Sequence, residues 1–281
     1  MQCTTYNGEI GCLRRLARVL LLAGFALAAM SAMAAEEIRL ATTTSTENSG
    51  LLKAILPVFE AKYGGKVRVV AVGTGAALKL GENGDADVVL VHARALEDRF
   101  MAAGFGAVRK DVMYNDFIIV GPKRDPAGVR GSKDVTAAMK QISASGAKFV
   151  SRGDQSGTHQ MEKDYWKSAG VAAQGAWHVS AGQGMGQVLT MAGELRGYAL
   201  TDRATYAATK DKTGLETLVE GGPGMFNPYG IIAVNPRRHP AVNHQGATAL
   251  VNWMTAPEGR QAIAAFKING VQMFFPSAGI R

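Results

Sequence analysis

Cysteine is nearly absent from the 281-residue chain. The two that occur, Cys3 and Cys12, stand ahead of a cleavable leader's end (below), so the mature chain is expected to carry none, which excludes disulfides and thiolate metal sites. Histidine is also scarce. His92, His178, His239 and His244 show no pairing at metal-ligand spacing, so surface or capping roles and no metal are expected of them. Aromatic residues make up 7%, and the positive charges are scattered rather than run together, which gives nucleic-acid binding little support. Low-complexity tracts, repeats and long flexible linkers are missing. So is a membrane span in the leader: Val19 to Ala29 supplies roughly 11 apolar residues where a bilayer needs about 20.

What is present begins with that leader. Arg14, Arg15 and Arg18 form a basic region, the apolar run follows, and Ala32-Met33-Ala34 offers small residues at both recognition positions of a signal peptidase. A signal peptide over residues 1–34 is therefore expected, with a soluble periplasmic product; no cysteine follows Ala34 to carry a lipid. The leader's three arginines against Glu9 give +2, leaving +6 of the whole chain's +8 on the remainder. That is a mild bias toward anionic ligands.

After the leader, short apolar strands alternate with helical stretches, the pattern of an α/β fold with largely parallel sheets. Strands are read at Ile38 to Ala41, Val67 to Val72 and Val88 to Val91. Leu51, Leu52, Ile55, Leu56 and Phe59 recur at helical spacing, with Pro57 as a blemish. Two similar strands, Phe117 to Pro122 and Tyr229 to Val234, would serve as paired connections between domains. The expected division is residues 35–115 plus 231–281 in one lobe and 116–230 in the other, with the C-terminal helices returning to the first.

Three segments share one design, in which a strand ends and hydroxyl and glycine residues open a helix. They are Thr42 to Thr46, Gly73-Thr74-Gly75, and Ser156-Gly157-Thr158. Helix starts present unpaired N–H groups and the positive end of the dipole; glycine permits close approach, and hydroxyls add neutral donors. Any one of these is ordinary capping. Together they suggest an anion site, and Arg152, a few residues ahead of the third, has the forked donors to hold two oxygens of a tetrahedral anion unless it is merely a surface partner of Asp154.

Thr42-Thr43-Thr44-Ser45, Val72 to Leu78, Gly84 to Val88, Met113 to Phe117, Ser151 to His159 and Thr201-Asp202-Arg203 occur in order along the chain. This set closely resembles the tungstate-binding periplasmic proteins of ABC importers. The resemblance implies a two-lobed type II periplasmic-binding fold, each lobe a central mostly parallel sheet flanked by helices, acting as a monomer with membrane permease subunits as partners. It implies no cofactor and no catalysis, with tungstate or molybdate as the ligand. Carried onto this chain, the oxyanion site comprises Thr43, Thr44 and Ser45 on one side, Arg152, Ser156, Gly157 and Thr158 on the other, and Thr74 as a neighbour.

Two alternatives stay open. Arg152, Asp154 and Ser156-Gly157-Thr158 also look like the anion loop of phosphate-binding proteins, where an acidic residue accepts the ligand's proton. A secreted hydrolase using Ser156, His159 and Asp154 is weaker, because the Gly-x-Ser-x-Gly turn is absent. Thr201-Asp202-Arg203 either lines the cleft or caps the helix at Ala204.

Overall fold

The computed structural model describes residues 37–154 and 156–277; the leader expected over residues 1–34 and Gln155 lie outside them. Strand and helix alternate from the start. β1 (Ile38–Thr43) passes through the short helix α1 (Thr44–Asn48) into α2 (Leu51–Tyr63). The buried side of α2 is the apolar stripe Leu51, Leu52, Ile55, Leu56 and Phe59, and Pro57 lies inside the helix without ending it. There follow β2 (Val67–Val72), α3 (Thr74–Asn83), β3 (Val88–Val91) and α4 (Arg94–Ala102). β1 pairs in parallel with β2 and with β3. All four residues of β3 are buried, as its unbroken Val-Val-Leu-Val run requires of a strand covered on both faces.

β4 (Gly106–Pro122) is 17 residues long. It starts well before Phe117, because its first half mixes Arg109, Lys110 and Asp111 into the strand and so lacks an apolar signal. The second half of the chain adds α5 (Val135–Ser145), β5 (Phe149–Ser151), α6 (Gly157–Ser168), β6 (His178–Ser180), α7 (Met185–Glu194), β7 (Ala199–Asp202), α8 (Arg203–Thr213) and β8 (Leu215–Val219). The chain then returns through β9 (Phe226–Val234), α9 (His244–Thr255) and α10 (Pro257–Ala265), and ends in the two-residue strands β10 (Lys267–Ile268), β11 (Val271–Gln272) and β12 (Phe275–Pro276).

Two long strands join the halves. β4 and β9 run antiparallel from Gly106↔Val234 to Asp116↔Phe226, and β9 also pairs antiparallel with β3. Beyond Asp116, β4 leaves β9 and pairs antiparallel with β7 and β8. The parallel pairs β1–β2 and β1–β3 are thus knitted into a mixed sheet by these crossings, whereas β5 and β6 pair in parallel as a two-stranded sheet of their own. Each lobe has its own apolar cores. In the first, Leu40, Ile55, Leu90, Leu250 and Ile263 pack together, so α9 and α10 share the core of β1 and α2. In the second, Phe117, Met139, Phe149, Trp166 and Leu200 do so. No described helix is long and apolar enough to cross a membrane.

Candidate functional site

The three strand-end clusters converge where the lobes meet. Thr43 ends β1 in an extended conformation, and its hydroxyl accepts from the Thr46 N–H at 3.3 Å, capping α1. α3 begins at Thr74, with Gly73 as its cap. A Cβ on Gly73 would come within 3.4 Å of the Asp154 carbonyl oxygen, so the glycine permits the close approach of the opposite lobe. Ser156 caps α6 by accepting the His159 N–H at 3.2 Å, an ordinary role for the serine that a hydrolase would use as nucleophile.

Hydrogen bonds tie the strand-end clusters of the first lobe to the second. Arg152 Nη2 donates to Thr44 Oγ1 at 3.2 Å, the Gly157 N–H to Thr74 Oγ1 at 2.9 Å, and Thr205 Oγ1 to the Ser45 carbonyl at 3.0 Å. Thr43, Thr44, Ser45, Thr74, Arg152, Ser156, Gly157 and Thr158 are therefore brought together. Thr158 is fully buried, and its hydroxyl has no partner among the described residues.

Arg152 is no surface partner. Its side chain is 2% exposed; Nε donates to the Gln183 carbonyl at 2.9 Å, and Nη2 pairs with Asp154 Oδ2. The other Asp154 oxygen accepts the Ser156 N–H at 3.1 Å. Burial works against ionisation of Asp154, but the Arg152 charge and the hydrogen bonds from Ser156 and Arg152 outweigh it and hold the carboxyl below its ordinary range.

His92 does not take the expected surface or capping role. It follows β3 into the interior, where its ring stacks on Tyr229 at 4.7 Å between centroids. Its Nδ1 lies 3.0 Å from Asn227 Oδ1 and its Nε2 3.2 Å from Ser45 Oγ. Burial pushes the imidazole down to about 4, with the Arg152 charge acting the same way and the Asn227 hydrogen bond opposing. His178 is also drawn inward, 3.3 Å from Glu162.

The Thr201-Asp202-Arg203 segment divides its roles. Asp202 caps α8 through the Thr205 N–H at 2.9 Å and also takes the Asn115 amide at 3.3 Å, whereas Arg203 turns away to Asp116. Burial raises the Asp202 carboxyl, against hydrogen bonds from Thr205 and Asn115. Asn115 and Asn227 face each other across β4 and β9, a pairing that carried no signal in the sequence, although Asn115 lies within the Met113 to Phe117 segment. Among the described residues, no group of three or more His, Cys, Asp or Glu side chains could hold a metal ion.

Residues 29–258 match the model of the PBP superfamily domain. The chain belongs to this superfamily. It is 46% identical over 245 residues to the tungstate-binding protein TupA of Peptoclostridium acidaminophilum, covering 86% of each chain. It is 58% identical to the crystal structure of the tungstate ABC transporter from Geobacter sulfurreducens, with a TM-score of 0.77 over 82% of this chain and 99% of that one. The tungstate-binding protein TupA from Desulfovibrio alaskensis G20 is 48% identical, with a TM-score of 0.73, over 86% of this chain and 99% of that one. These superfamily members bear out the motif-level resemblance to tungstate-binding proteins and the two-lobed fold that it implied.

Proposed function

We propose that the protein is the periplasmic solute-binding component of an ABC importer, exported by a leader cut after Ala34, and that it captures tungstate, or molybdate, without catalysing a reaction. The observation that carries this reading is a fully buried guanidinium, Arg152, that reaches a hydroxyl of the opposite lobe, Thr44. A buried cation with one carboxylate at its side and neutral donors around it is chemistry for an anion. Thr43, Thr44, Ser45 and Thr74 would face Arg152, Ser156, Gly157 and Thr158 across the ligand. Lobes at residues 35–115 plus 231–281 and at 116–230 would close on it, and the closed monomer would dock on the permease subunits. The tungstate-binding names of the relatives support the choice of ligand.

Phosphate fits less well. Hydrogen phosphate needs an acceptor for its proton, and the carboxylate at hand, Asp154, is already engaged by Arg152 and by the Ser156 N–H and would have to accept a further bond. A fully deprotonated dianion needs none. Calorimetric titration with tungstate, molybdate, sulfate and phosphate in one buffer tests this. Tungstate and molybdate should bind far more tightly than the other two. A preference for phosphate, or no binding of tungstate, overturns the assignment.

A further inference from the structure

A directed chain of hydrogen bonds runs through the crossing strands to the site. Asp202 Oδ1 accepts the Thr205 backbone N–H, which fixes that oxygen as an acceptor, and it accepts the Asn115 amide as well. With its nitrogen turned to Asp202, Asn115 presents its oxygen to Asn227 Nδ2 at 2.7 Å. Asn227 in turn presents Oδ1 to His92, so His92 Nδ1 must carry the hydrogen. A neutral imidazole has one N–H only, so Nε2 is an acceptor; the Ser45 hydroxyl, 3.2 Å away, donates to it and accepts from Thr43 Oγ1 at 3.0 Å. The groups around the ring are Ser45, Asn227, Tyr229, Phe117 and the Gly157 backbone, with Arg152 as the nearby charge. The low titration of the imidazole agrees with a neutral ring at neutral pH.

The hydroxyls of the site therefore sort into two kinds. Ser156 serves Asp154 and the helix cap. Thr44 and Thr74 accept from Arg152 and Gly157 and keep their own hydrogens, and Thr158 has no partner among the described residues. We propose that His92 is a positioning residue that turns the Ser45 hydroxyl away from the ligand, so that an oxyanion is held by the hydroxyl hydrogens of Thr44, Thr74 and Thr158. Ser45 then serves by its place in the chain, not as a side-chain donor. This rests on the anion-binding reading above and refines which groups do the binding.

Two measurements test it. Long-range proton–nitrogen correlation spectra of the ligand-free mature chain at pH 7 should show His92 neutral, with the hydrogen on Nδ1; the opposite tautomer or an imidazolium overturns the proposal. Tungstate titrations should show Thr158→Val and Thr74→Val losing roughly tenfold or more, the worth of one hydrogen bond to a charged group. Ser45→Ala should lose clearly less than either threonine variant. Equal losses for Ser45→Ala and the threonine variants overturn it. Failure of the wild type to bind tungstate would instead sink the proposed function, while the tautomer spectrum still decides the hydrogen-bond chain.

Discussion

Arg39 and Asp87 in the first lobe and Arg152 and Asp154 in the second are both arginine–aspartate pairs beside strand ends, yet they bury opposite members. In the first, the carboxylate is 1% exposed and the arginine 36%. Asp87 accepts from the Arg39 backbone N–H, from Arg39 Nε and Nη2, and from the Asn243 N–H, so it holds β1, the start of β3 and the cap of α9 together. In the second pair the guanidinium is 2% exposed and the carboxylate 18%. A buried acceptor surrounded by donors is a joint, complete in itself. A buried cation whose carboxylate lies at its rim leaves a positive field facing the hydroxyls of the other lobe.

The largest effect that could break this contrast is at Arg152. If its guanidinium opposes the anion in the cleft, Arg152→Ala leaves a buried anion unpaired, at a cost of about 3–5 kcal/mol. At about 1.4 kcal/mol per decade, tungstate affinity should fall by roughly two to four orders of magnitude. Arg152→Lys should recover part of that, since the charge returns without the planar fork. Calorimetry on folded variants reads both; an Arg152→Ala protein that binds within about threefold of wild type removes Arg152 from the site.

His92 sharpens the contrast, because a neutral ring beside Ser45 adds no positive charge to that of Arg152. Its folded-state value of about 4 lies below the ordinary 6.5. Between those values the unfolded chain takes up the proton and the folded one does not, so stability is full above about pH 6.5 and is lost as pH falls toward 4. The shift corresponds to about 3 kcal/mol. Denaturant unfolding from pH 7 to 4 should show that loss in the wild type and a smaller one in His92→Phe. Equal acid sensitivity in both would mean that His92 is not buried as a neutral ring.

The halves of this site differ in how legibly the sequence announces them. Hydroxyl and glycine clusters at strand ends are local, so Thr43 to Ser45, Thr74 and Ser156 to Thr158 could be read directly, as could Arg152 ahead of its helix. His92 could not. Its partners Asn227 and Ser45 lie 135 and 47 residues away, and an isolated histidine after a strand has no pattern to betray burial. Asp202 was legible as a cap, since the Thr205 contact is local, but not as the head of a chain through Asn115. The strand β4 was half legible: Phe117 to Pro122 is apolar, but Arg109 to Asp111 reads as loop until β9 is laid beside it. Local chemistry shows in the sequence, whereas pairings made by the crossing strands need the fold.

The smallest expected effect lies at Arg39, and it tests the other side of the contrast. About a third of its side chain meets solvent, where an ion pair contributes about 0–1 kcal/mol after screening. Arg39→Ala removes the Nε and Nη2 donors but keeps the backbone N–H on Asp87, and the Asn243 N–H also remains. Asp87 thus stays a satisfied acceptor, and β1 still reaches Thr43 in its present place. Stability measured by denaturant unfolding should drop by about 1 kcal/mol or less. Tungstate affinity should stay within about threefold of wild type. A tenfold loss of affinity in Arg39→Ala would show that the two pairs are coupled through β1, and that burying the carboxylate does not by itself separate a joint from a binding site.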